Sequence, residues 1–333
     1  MFGDGVVEQV LIGRKDQSYL VGEKLCLFQV SAGKSLEDVI ALDLPFILTL
    51  PTNRPMPGSI SLGKSTVETC YQLFVSLIYG KQQLSHHIAF PVRIKRYDTL
   101  STFGAFRVPT VKSVTSADHL VTVDYSTPIS SFGPGDNVMA YIKVSPNPDW
   151  TKAKKVKLQR ITMQIIELIT FNHEGDEPVE RRRRLCKTAK QLDLKLPENG
   201  YLCELTLDFP SLDLRDKDGV ISKERQEIPL ISRNGFSTTA SLYKIEYLLV
   251  IKARFAHSKD IEIEQLITVT PFDHATCMSF MKNISDSVEY ANRTDRNAIP
   301  GPRVYKPNDT SLPFGRLSHG VPGIRGACTF MVT

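Results

Sequence analysis

The sequence predicts an all-β protein built from two sandwich domains, and three observations carry that expectation. Residues 201–209 (YLCELTLDF) alternate strictly, with Tyr201, Cys203, Leu205, Leu207 and Phe209 set against Glu204, Thr206 and Asp208. The run 160–171 (RITMQIIELITF) is rich in β-branched residues, which suit a pleated surface better than a helix. Such runs recur at short spacing, joined by Gly, Pro and Asn turns with no helical period between them, as in an all-β sandwich.

At 333 residues the chain has room for two domains of ordinary size. Hydrophobic residues at 41% and charged residues at 23% exclude a disordered chain. The net charge of +5 permits an acidic partner without demanding one. Six cysteines (Cys26, Cys70, Cys186, Cys203, Cys277, Cys328) lie far apart with no CxxC. That argues against a metal site or a disulfide framework and for reduced thiols in a cytoplasmic protein. The opening MFGDGVVEQVLIGRKDQ is interrupted by glycine and charge, so no secretory signal is read there. No apolar run has the length of a membrane span. The Asn-x-Ser/Thr sequences at Asn283, Asn292 and Asn308 are then read as chance.

In chain order, residues 6–12 and 25–30 are candidate strands, and residues 44–50 (LPFILTL) form a strongly apolar one closed by Pro51. Residues 53–58 (NRPMPG) are loop chemistry. Residues 66–79 place Val67, Tyr71, Leu73, Val75, Leu77 and Tyr79 at period two, although Cys70, Leu73, Phe74, Leu77 and Ile78 also satisfy a helical period. Residues 88–97 (IAFPVRIKRY) read as a strand, and 98–109 as an interdomain linker.

The pattern is cleaner from about Phe106 onward. Val121, Val123 and Tyr125 share a face within 119–125, and 138–144 follows the turn signal GPGDN. In 160–171, Ile161, Met163 and Ile165 point one way and Arg160, Thr162 and Gln164 the other. The phase then breaks at Ile165–Ile166, where either a β-bulge or a slide into a helix accounts for it. The all-β context decides for a strand. Residues 243–255 and 262–272 repeat the theme. One helix is expected at 276–292, where Met281, Ile284, Val288 and Ala291 recur at helical spacing with Asp273 as a nearby cap. Residues 293–333 lack periodicity and read as a disordered tail. The domain expectation is therefore 1–100, 106–275, the helix 276–292 and the tail 293–333.

Motifs that carry chemistry are few. Residues 58–65 (GSISLGKS) match the P-loop pattern letter for letter, with Lys64 and Ser65 in the phosphate and magnesium positions. A P-loop must leave a strand and open a helix, and here a proline-bearing loop precedes it, so a nucleotide hydrolase is a remote alternative. Residues 214–224 (LRDKDGVISKE) lack the carboxylates of a calcium loop. His173, Glu174, Asp176 and Glu177 gather in one acidic loop, best read as a hairpin tip. No enzyme, no cofactor and no metal is expected. Lys152, Lys154, Lys155 and Lys157 precede the long strand, and Arg181, Arg182, Arg183 and Arg184 follow the acidic loop. Clustered Lys and Arg on loops hold phosphate or an anionic lipid surface, while a solvated face is the plainer account. Nucleic acid fits less well, since no aromatic residues interleave with the basic ones.

The order of features resembles a known family. Residues 44–51 (LPFILTLP), 55–60 (PMPGSI), 71–79 and 90–97 (FPVRIKRY) resemble the second half of an arrestin N-terminal domain. Residues 132–136 (FGPGD), 138–144, 205–210, Ile228-Pro229 and 243–254 (YKIEYLLVIKAR), with Ile245, Tyr247, Leu248 and Val250, resemble an arrestin C-terminal domain. The style is that of the fungal alpha-arrestins, the arrestin-related trafficking adaptors.

The resemblance implies two immunoglobulin-like β-sandwiches and a non-enzymatic adaptor. It would bind the cytosolic tails of membrane transporters or receptors and link them, through a HECT-class ubiquitin ligase, to endocytosis. It would be cytoplasmic and recruited to the plasma membrane or endosomes. An arrestin-fold signalling scaffold, for example in pH sensing, is the alternative. The chain departs from the family twice. Residues 1–100 are short for the first sandwich, which is expected to be incomplete with an exposed sheet edge. The ligase-docking PPxY motif has only a degenerate counterpart, Pro302 and Tyr305, with Arg303 in place of the second proline.

Overall fold

A computed structural model describes residues 2–4, 10–12, 15–17, 25–39, 41–48, 50, 56–62, 67–92, 94–210, 235–295, 299–301 and 303–306. Two compact units divide the chain, Met1–Lys95 with Ile284–Thr333, and Arg96–Asn283.

The first unit contains β1 (Phe2–Asp4), β2 (Val10–Ile12), β3 (Lys15–Gln17), β4 (Ala41–Asp43), β5 (Ile60–Ser61), β6 (Glu68–Thr69), β7 (Tyr71–Tyr79) and β8 (Leu84–Val92). A three-stranded sheet runs β1-β7-β8, and β2-β3 and β5-β6 are short pairs. Met56, Tyr71 and Ile94 form a small core, with Leu50 and Val92 against it. The Tyr71 hydroxyl donates to the Pro57 carbonyl at 2.6 Å, which satisfies its polar tip.

Several local expectations are corrected here. The strand expected at 44–50 is instead β4, because Pro45 offers no N–H and disfavours regular pairing around Leu44. At 25–30 only Leu25 makes a bridge, and residues 26–30 are irregular. Residues 94–97 lie beyond β8, whose strand starts four residues before Ile88. The helical reading of 66–79 gives way to β6 and β7. Gly63, Lys64, Ser65 and the run 214–224 lie outside the described residues, as do Pro302, Ile228-Pro229, Asn308 and Cys328.

The second unit contains β9 (Thr110–Thr115), β10 (Val121–Thr127), β11 (Ser131–Phe132), β12 (Asn137–Pro146), β13 (Lys157–Phe171), β14 (Val179–Lys195), β15 (Tyr201–Asp208), β16 (Thr238–Thr239), β17 (Tyr243–Ala256) and β18 (Ile261–Val269). One sheet has the order β15-β12-β10-β9, and the other β11-β18-β17-β13-β14 with β16 on β17. Alternate residues of β10, β12, β15, β17 and β18 are buried, as two facing sheets require. Phe209, just after β15, meets Tyr247 of the other sheet edge-on at 6.2 Å.

The central strand β13 has β17 on one side and β14 on the other. Leu158 and Ile161 are both buried although three residues apart, because the ladder skips Gln159 in a bulge. From Ile161 the inward slots run Met163, Ile165, Glu167 and Ile169 without interruption. The apolar phase that broke at Ile165–Ile166 did so because a carboxylate, Glu167, takes an inward place. A register shift does occur there, but the extra residue is Leu185 of β14.

Residues 98–109, expected as a linker, belong to the second unit. Leu100 and Ser101 are buried, Tyr97 stacks on Phe272 at 5.4 Å, and Ser101 Oγ lies 2.8 Å from His274 Nδ1. The helix α1 covers His274–Arg293. Asp273 caps it, accepting from Thr276 N at 2.8 Å and from Thr276 Oγ1 at 2.7 Å. Asp136 of the FGPGD turn also accepts from His274 N, at 2.9 Å, and from Gly133 N, at 2.7 Å. Gly133 permits this approach, since a Cβ there would sit 1.8 Å from the Phe272 carbonyl oxygen. Within the stretch expected as tail, β19 (Arg303–Tyr305) pairs antiparallel with β4 in the first unit.

Ile161→Ala should cost about 2–5 kcal/mol, because the side chain is fully buried in the central strand. Gly133→Ala should cost about 1–3 kcal/mol or more, because main chain must move. Both are read from denaturant midpoints, and an Ile161→Ala midpoint equal to wild type would contradict the burial.

Acid should also loosen this unit. Burial works against the Asp118 and Asp273 carboxylates, but their hydrogen bonds outweigh it and hold both below the ordinary 3.8. Asp118 accepts from Ser116 Oγ at 2.6 Å, and from Lys259 N and Ser258 Oγ at 3.0 Å each. A lowered folded value means stability that is complete above 3.8 and lost as pH falls through the folded value. The urea midpoint should therefore drop more steeply below pH 3.8 in wild type than in Asp118→Asn.

Candidate functional site

The candidate site is the hairpin of β13 and β14 with the turn that precedes it. A 3-10 turn, Thr151–Lys155, leads into β13. Ala153 and Val156 are buried, and this anchoring turns Lys152, Lys154, Lys155 and Lys157 out to solvent. Lys154 pairs with Glu198 at 3.3 Å. Lys157 lies opposite Lys195, so two like charges share this end of the hairpin. Trp150, the only tryptophan, stands half-exposed directly before the lysines.

The arginines are in a strand, not in a loop as the sequence suggested. β14 runs from Val179 to Lys195 and is exposed along nearly its whole length. Residues 179–184 are exposed on both faces and have no hydrophobic period to betray a strand, so four consecutive arginines read as a loop. Register places Arg183 opposite Glu167 and Arg181 opposite Ile169, whereas Arg182 and Arg184 oppose Leu168 and Ile166 on the other face. The lysine and arginine clusters are not brought together. Twelve residues of β13 separate Lys157 from Ile169, roughly 40 Å at ~3.3 Å per residue.

Sequence reasoning missed the group that organises the arginine end. Glu167 is only 3% exposed. Its Oε1 accepts from Arg183 Nε at 3.0 Å and its Oε2 from the Tyr247 hydroxyl at 3.3 Å. Tyr247 lies opposite Glu167 on β17, and burial, with Glu167 beside it, pushes the phenol far above its ordinary value. The extra residue Leu185 is what turns Arg183 to the Glu167 face, since a one-residue slip exchanges the faces of a strand. Gly235 closes the cluster, where a Cβ would fall 2.3 Å from the Tyr247 oxygen and 2.7 Å from Glu167 Oε2.

The remaining sequence candidates are placed as follows. Burial pushes the thiols of Cys186 and Cys277 up to about 11, so neither is a thiolate at neutral pH. Among the described residues, no three His, Cys, Asp or Glu side chains gather to hold a metal, and no helix is long and apolar enough to cross a membrane. The P-loop reading fails on geometry: β5 and β6 flank the GKS run and pair with each other, so a strand stands where the motif needs a helix. Tyr305 is half-buried in β19 opposite Ala41, and its neighbour Lys306 pairs with Glu37 at 2.7 Å.

Removing the two partners of Glu167 should have unequal effects. Tyr247→Phe strips a hydroxyl from a buried carboxylate and should cost about 1–3 kcal/mol. Arg183→Ala should cost less, since Arg183 is largely exposed and water can replace it. Thermal denaturation of both variants gives the order, and the reverse order would mean that Arg183 carries the cluster.

The family described as "Arrestin (or S-antigen), C-terminal domain" matches residues 117–273, just under half of the chain. No curated protein matches the chain. The matched segment begins at the β9–β10 turn and ends at the α1 cap, so it takes in the hairpin, Glu167 and both clusters. The match falls on the two-sheet sandwich itself, and the chain is arrestin-like through residues 117–273.

Proposed function

We propose that the protein is a non-enzymatic adaptor of arrestin type. It binds the cytosolic tails of transporters or receptors at a membrane surface and passes them to ubiquitin-dependent trafficking. The observation that carries the reading is the arrestin C-terminal match on residues 117–273. In support, the same segment presents a basic surface to solvent, and burial raises its half-buried Cys186 thiol to about 11. Such a protein works in the cytoplasm and is recruited peripherally to the plasma membrane or endosomes.

The lysine end supports a membrane role for one edge. Trp150 beside Lys152, Lys154 and Lys155 combines an amphipathic ring, suited to the headgroup region, with cations that attract anionic lipid. Each lysine near such a surface is worth about 1 kcal/mol. The tail favours an indirect route to the ligase. A PPxY ligand docks as a polyproline helix, whereas Arg303–Tyr305 is a strand with Tyr305 half-buried. A second adaptor would then bring the HECT-class ligase, and a signalling scaffold built on the same fold would use the same surface.

Because Trp150 is the only tryptophan, its fluorescence reports on this edge alone. Vesicles of phosphatidylcholine with phosphatidylserine should shift its emission to the blue at low salt. The shift should vanish in Lys152→Glu/Lys155→Glu and fade as salt rises, because exposed charges are screened. No shift at low salt would remove the membrane contact. Crosslinking in intact cells tests the cargo: recovery of transporter tails is expected, and recovery of soluble signalling proteins alone would favour the scaffold.

A further inference from the structure

We propose that the run 179–184 of β14 is a docking edge for an extended acidic segment of a partner protein, which adds to the sheet as one more strand. The inference deepens the adaptor reading and rests on it for the idea of a protein partner. It goes further in naming the strand and the chemistry it selects.

The backbone provides the first ground. β14 ends its sheet and pairs with β13 alone, so among the described residues one row of its N–H and C=O groups faces no strand. Val179, Glu180, Arg181, Arg182, Arg183 and Arg184 are all exposed. Unpaired edges of this kind accept an added strand through main-chain hydrogen bonds, with side chains supplying the selection.

Charge provides the second ground and chooses the occupant. β14 carries seven basic residues, Arg181, Arg182, Arg183, Arg184, Lys187, Lys190 and Lys195, against two acidic ones, Glu180 and Asp193. Its excess of five equals the net charge of the whole chain, so the rest of the protein is formally neutral. A second copy pairing along this edge would set arginine against arginine, which is destabilising. An acidic strand reverses that sign.

The free guanidinium groups are identifiable. Arg183 is committed to Glu167, and Arg182 has loose neighbours in Glu180 at 3.8 Å and Glu264 at 3.6 Å. Arg181 and Arg184 have no ion partner among the described residues. They lie on opposite faces of the edge, so an incoming strand meets a cation on each side. The extra residue Leu185 interrupts the ladder and ends the regular stretch, which limits the docked segment to a few residues.

A short labelled peptide of alternating glutamate and valine tests this by fluorescence anisotropy at low salt. The unchanged protein should bind it. The same peptide N-methylated at alternate residues keeps its charge but loses its main-chain donors, and should not bind. Arg182→Glu/Arg184→Glu should weaken binding roughly tenfold, as expected for lost charge-assisted hydrogen bonds. Equal binding of the N-methylated peptide would reduce the site to charge alone and overturn the proposal. Binding to phosphatidylserine vesicles through Arg182 and Arg184, with no binding of the peptide, would also overturn it and assign this edge to the membrane. The N-methylation comparison uses the unmutated protein, so a folding defect in the variant cannot mask the answer. The Trp150 and crosslinking tests do not involve this peptide, so failure here leaves the adaptor reading standing.

Discussion

A carboxylate in the middle of an apolar sheet constrains everything around it. Glu167 occupies an inward slot of the central strand, between Ile165 and Ile169. A charge so placed is destabilising unless it is paired and hydrogen-bonded. Tyr247 supplies one bond from β17 and Arg183 another from β14, so the pairing of three strands is tied to one side chain. The ladder yields to make this possible, since without the extra residue at Leu185 an outward face would carry Arg183. Gly235 then passes close enough to seal the group from water.

That constraint links the core to the surface chemistry. Arg183 is engaged by Glu167, which leaves Arg181, Arg182 and Arg184 as the members of the quartet not tied to it. The lysines stand at the far end of the same hairpin, roughly 40 Å away at ~3.3 Å per residue, and cannot share one small anion with them. On the proposed adaptor reading, two separate basic ends on one hairpin allow two partners to be held at once. A single compact site would suit a ligand.

The sequence showed the second unit well and the first poorly, for physical reasons. β12, β13, β15 and β17 each bury one face against a second sheet, and that geometry writes itself as period-two alternation. In β14, the longest strand among the described residues, the run 179–184 is exposed on both faces, so it carried no such signal and its arginines passed for a loop. The Asp273 cap was legible because capping needs a particular residue at a particular place. The second carboxylate at the same helix end, Asp136, was not, because 138 positions of chain separate it from His274. Glu167 was visible only as a broken phase, and its partners Arg183 and Tyr247 come from two further strands.

Among the described residues, the first unit shows why alternation alone does not guarantee burial. β7 and β8 place Leu77, Tyr79, Leu84 and Ile88 on one face of their hairpin by register, as buried strands do. Yet these side chains remain between 38% and 51% exposed, and the unit's compact core is the small group around Met56, Tyr71 and Ile94. The alternating pattern records which face is apolar and says nothing about whether a second layer covers it. In the second unit the second layer is present, the apolar faces close on each other, and the β14 edge is left rich in charge. On the proposed reading, recognition therefore falls to the edge strand and the lysine turn, because the faces of the sandwich are already used in holding it together.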